Sequence, residues 1–74
     1  SIMTPKEKAI ELYEMYYYIT PQTVSSSKQD KLAKDCALKC VGEIVNILFD
    51  LPRIPYTIER TNFYRKVKLE IQDL

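Results

Sequence analysis

Seventy-four residues make one domain, 1–74, too short to bury a large core. With 46 % hydrophobic and 28 % charged residues the chain is globular, and a single glycine argues against the tight turns of a small β-sandwich or barrel. A net charge of +1 gives no gross electrostatic case for DNA or an acidic membrane, and no run spans a bilayer or reads as a signal peptide.

Helix signals begin at Thr4-Pro5-Lys6-Glu7. Thr4 can cap, proline suits the first helical position, and Glu7 can reach back to close a capping box. A helix over about 5–18 follows, with Ala9, Leu12, Tyr13, Tyr16 and Ile19 on one buried stripe. Thr20-Pro21 ends it, and TPQTVSSS reads as a loop. Ser27 is the expected cap of a second helix, about 28–50.

That second helix carries two apolar seams. Ala33, Ala37, Cys40, Ile44, Ile47 and Leu51 form one, stepping by threes and fours. Leu38, Val41, Val45 and Leu48 form the other, about 100° around the helix. A surface helix needs only one such stripe. Gly42, costly inside a helix, sits beside the second seam, where a close backbone approach would account for it.

Pro52 and Pro55 interrupt the next stretch, so residues 51–56 read as an extended connection. Thr57 or Thr61 caps a last helix, about 58–73, with Phe63, Val67, Ile71 and Leu74 inward and Lys66 spaced to pair with Glu70. The fold class is therefore all-α: a small bundle of three helices. Two short helices leave part of two seams on a long one without cover, so a homo-oligomer built around the second helix is expected, a symmetric antiparallel dimer in its simplest form, with Leu38, Val41, Val45 and Leu48 as its interface. A compact monomeric bundle is the alternative.

The chain has no histidine, which closes nucleophilic triads and most general-base schemes, and Glu11 and Glu14 should face water. No enzyme is expected. Cys36 and Cys40 read as small core residues in a reducing compartment, too few for zinc, so no metal or other cofactor is expected. The C-terminal third, residues 53–74, holds five Lys/Arg against three acids. Arg60, Asn62, Tyr64, Arg65 and Lys66, with Tyr17 or another of the six tyrosines, could hold a phosphate and stack a base. These are the candidate ligand-binding residues, and an oligomer interface could assemble such a site from two chains.

The stretches TPKEKAIELYEMYY, KLAKDCALKCVGEI and FYRKVKLEIQDL resemble a family of short helical phage and prophage proteins associated with Bacteroidetes. That family shows a TPKEKA start, a central CAL…EI helix and a closing VKxEI helix. This chain departs from it at Lys39, Cys40, Gly42 and residues 52–57. The resemblance implies a viral or mobile-element origin and a place in a host cytoplasm. It makes counter-defence, by sequestering a cyclic nucleotide immune signal between subunits, the leading expectation. A module that inhibits a host protein, or a DNA-associated accessory protein, is the alternative.

Overall fold

The computed structural model describes residues 3–19 and 25–74. It contains three helices: α1 (Pro5–Ile19), α2 (Ser26–Phe49) and α3 (Pro55–Gln72), each packed on the other two. Of the expected loop TPQTVSSS, residues 20–24 lie outside the described residues, and Ser26 and Ser27 belong to α2.

Local chemistry sets each helix start. The Thr4 amide donates to Glu7 Oε1 at 3.0 Å, and the Glu7 amide donates to Thr4 Oγ1 at 3.2 Å. This is the expected capping box, and these bonds hold the Glu7 carboxyl below its usual range. Helix α2 begins two residues earlier than expected, because Ser25 rather than Ser27 accepts from a first-turn amide, that of Lys28. Helix α3 begins three residues early. Pro55 does not interrupt it but opens it, since a first helical residue needs no N–H donor.

Neither threonine caps α3 in the expected way. Ile54 occupies the cap position and has no acceptor in its side chain. Thr57 makes only the return half of a box: its hydroxyl accepts from the Ile54 amide at 3.1 Å and donates to the Pro52 carbonyl at 2.6 Å. Thr61 is interior, donating to the Thr57 carbonyl at 2.7 Å. Both threonines are buried, and such back-bonding is how a hydroxyl is tolerated inside.

Cross-helix contacts fix the topology. Tyr17 at the end of α1 meets Gln29 at the start of α2, and Lys34 in the first half of α2 donates to the Leu74 carbonyl just past the end of α3. Helix α2 therefore runs antiparallel to both neighbours, while α1 and α3 run parallel. The core is Ala9 and Leu12 from α1, Ala37 and Val41 from α2, and Val67 and Ile71 from α3. Ala9, Ala33 and Ala37 have no exposed surface, so the helices approach closely at small side chains. Burying Val41, Val67 and Ile71 contributes roughly 1.5–3 kcal/mol each.

The buried line of α2 takes Ala33 and Ala37 from one expected seam and Val41 from the other. Cys40 of one seam and Leu38 and Val45 of the other pack against it from either side. Two seams exist because α2 has two neighbours within its own chain. Cys36 is exposed, contrary to a core role, while Cys40 is half-buried. On α3 the inward positions are Thr57, Thr61, Val67 and Ile71, whereas Phe63 is half-buried and Leu74 exposed. Ile19, expected on the buried stripe of α1, is 71 % exposed.

Cover fails where the helices differ in length. At 1.5 Å per residue α1 spans about 22 Å and α2 about 36 Å. The far end of α2 outruns α1, and Ile47 (60 %), Phe49 (48 %) and Leu51 (43 %) stay exposed. No helix among the described residues is long and apolar enough to cross a membrane.

Candidate functional site

The parallel run of α1 and α3 brings both helix N-termini to one end of the bundle. Between them lies an open groove of about 690 Å³. Met3, Thr4 and Pro5 form one wall, and Tyr56, Asn62, Phe63 and Lys66 lie along the other with Glu59 and Arg60. Positions 56, 59, 63 and 66 recur at helical spacing, so one face of α3 presents two rings, a carboxylate and an ammonium.

Arg60 is held in place by rings rather than by an acid. Its guanidinium lies 4.8 Å from the Phe63 centroid and 5.4 Å from that of Tyr64. The two rings meet edge to face at 5.2 Å. Arg60 is half-buried, so the stack also desolvates part of the charge. Among the described residues the ion pairs are Lys8–Glu11 and Lys34–Asp30. Arg60, Arg65 and Lys66 are in neither, and Lys66 does not close on Glu70. Their charge remains available to an anion.

The six candidate ligand residues are thus divided. Arg60, Asn62 and Lys66 line this groove. Tyr64 supports Arg60 from the side of α1. Arg65 points to the other flank of α3, 5.9 Å over the Phe49 ring. Tyr17 is at the far end of α1, its ring 5.6 Å from Tyr13 and its carbonyl bound to Gln29. Sequence reasoning missed Glu59 and Phe63 as groove residues and held Tyr56 only as one of six tyrosines. The heptad spacing of Tyr56 with Phe63, and of Glu59 with Lys66, was visible, but a helix taken to start at 58 excluded Tyr56.

Of the four candidate interface residues, Val41 has no exposed surface, while Leu38, Val45 and Leu48 are half-buried. Leu38, Val41 and Val45 line a second groove, of about 540 Å³, between α2 and α3. Its rim carries Phe49, Arg65, Lys68 and Leu69.

Away from the grooves, the α1–α2 seam is polar. Tyr13 donates to Asp30 Oδ1 at 2.5 Å, which pushes the phenol up to about 12, with burial adding to it. The same bond, helped by Lys34, lowers the Asp30 carboxyl. The Cys40 thiol, hydrogen-bonded to Tyr16, raises that phenol too. Among the described residues no His, Cys, Asp or Glu side chains gather as a metal-binding group. Comparison with known protein families, curated proteins and solved structures found no match to this chain.

Proposed function

We propose that this chain is a self-associating, non-enzymatic binding protein whose α1/α3 groove takes an anionic ligand with an aromatic ring, of the nucleotide class. The observation that supports this is the grouping of Arg60, Asn62 and Lys66 beside two rings in one groove, with no ion pair on either cation among the described residues. Arg60 and Lys66 would hold phosphate, Tyr56 or Phe63 would stack the base, and Asn62 and Glu59 would bond ribose or base edges. Its volume falls within the roughly 300–1,000 Å³ of small-molecule sites. An open groove on so small a chain leaves one side of a ligand wet, and a second subunit would close it. Binding alone removes a signal from solution, so no reacting group is required. Sequestration of a cyclic nucleotide signal in a host cytoplasm, to the benefit of a phage, is the biological role this chemistry would serve.

Calorimetry against cyclic di- and trinucleotides and ADP-ribose derivatives tests it. The expected result is saturable heat from at least one of them, lost in Arg60→Ala. No heat from any member overturns the nucleotide reading. A second reading, an inhibitor that docks on a host protein, is favoured by the apolar residues Ile47, Leu51 and Ile54 exposed around the α2–α3 connection.

A further inference from the structure

Gly42 has no purpose inside the single chain. It lies mid-helix in α2 with no positive φ, and a methyl group there would meet no atom within 4 Å. Glycine in a helix interior is destabilising relative to alanine, and no contact among the described residues offsets that cost. The space beside it is the floor of the α2/α3 groove. Leu38, Gly42, Val45 and Phe49 line it at heptad spacing, and Asp35 precedes Leu38 in the same register.

We propose that a second copy of this chain docks on that face, α2 against α2 in antiparallel, with Val45 of each copy seated in the space over the partner's Gly42. The proposal rests on the reading of the chain as self-associating, and it names the surface. The same register lays Phe49, 48 % exposed, on the partner's Leu38. It gives four apolar layers related by a two-fold axis: Leu38, Gly42, Val45 and Phe49 meet Phe49, Val45, Gly42 and Leu38. One helix face supplies both the gap and the knob that fills it, which is what an isologous contact requires.

Charge agrees with the register. Arg53 and Arg65 lie 5.0 and 5.9 Å from the Phe49 ring centroid, and neither is in an ion pair among the described residues. Asp35, exposed and likewise unpaired, is one turn before Leu38. Laying Phe49 on the partner's Leu38 brings Arg53 and Arg65 to the partner's Asp35. An unrelated protein would have to supply both the knob and the carboxylate; a second copy already has them.

The test combines mass with cross-linking. Sedimentation should give twice the 8.7 kDa chain mass. In a Cys36→Ser, Cys40→Ser background, Leu38→Cys with Phe49→Cys should give an oxidised dimer. The two positions are too far apart on one helix to bridge within a chain, and either alone should not cross-link. Gly42→Leu should weaken dimerisation at least about tenfold, as a hot-spot contact does, with helix content unchanged or raised, because a Cβ at this position meets no atom within 4 Å and leucine is the better helix former. A dimer that survives Gly42→Leu and fails to cross-link overturns this face while leaving self-association standing. A monomer at every concentration overturns both.

Discussion

The side-chain amide of Gln29 donates to the Tyr17 carbonyl at 2.7 Å, tying the end of α1 to the start of α2. Tyr17 is in the last turn of α1, where carbonyls have no partner within the helix. Gln29 is only 6 % exposed, so the bond is sheltered from water. Gln29→Ala should lower stability by about 1–3 kcal/mol, because a buried acceptor loses its donor. Urea unfolding followed by circular dichroism reads it. Gln29→Glu should be worse, since it sets an acceptor-only charge against the Tyr17 carbonyl oxygen in a nearly buried position.

Core size should be tightly constrained at the helix crossings. Ala37 and Ile71 both have no exposed surface. Ile71→Ala should cost about 2–5 kcal/mol by opening a cavity. Ala37→Leu should cost about 1–3 kcal/mol by forcing the helices apart, although leucine is the better core residue on composition alone. Thermal melts of both variants check this pair of signs.

The Tyr13–Asp30 bond makes stability depend on pH at both ends. The Tyr13 phenol is raised to about 12 from an ordinary value near 10, so its contribution is full below pH 10 and is lost as pH rises toward 12. Asp30 is lowered, so its contribution is full above the ordinary carboxylate range and is lost as pH falls through its depressed value. Tyr13→Phe should flatten the alkaline limb of a plot of urea midpoint against pH, and should soften the acid limb.

Arg60 and Arg65 are five residues apart on one helix but serve different flanks. Arg60→Ala should abolish nucleotide heat and leave sedimentation unchanged. Arg65→Ala should leave that heat in place and weaken the dimer. If one of these variants removes both properties, ligand binding and docking share a surface and the two-groove arrangement is wrong. Arg60→Lys should rescue only part of the heat, because an ammonium keeps the charge but not the planar stack on Phe63.

Most of the architecture was legible one residue at a time. Thr4, Pro5 and Glu7 announce α1 because capping is chemistry between residues three apart. The periodicity of α2 named the residues that flank its core. The errors were local competitions that sequence cannot rank. Three serines, 25 to 27, stand in a row at the start of α2, and any of them could accept the same kind of bond. Pro55 reads as a breaker after Ile54 and as a starter before Tyr56, and only the register of α3 decides between them. Displacing that start by three residues left Tyr56 outside the helix and so off the wall of the α1/α3 groove.

By itself the sequence determined that three helices form, roughly where each begins, and that the long one is apolar on more than one side. Those are consequences of contacts within a turn or two of chain. Tertiary structure alone decided that α1 and α3 divide the two seams of α2 between them, that α1 stops short of the end of α2, and that Arg60 and Arg65 face opposite grooves. Those outcomes depend on how rods of unequal length settle against one another, a packing problem in which small alanines at the crossings matter as much as the large residues that periodicity brings to notice.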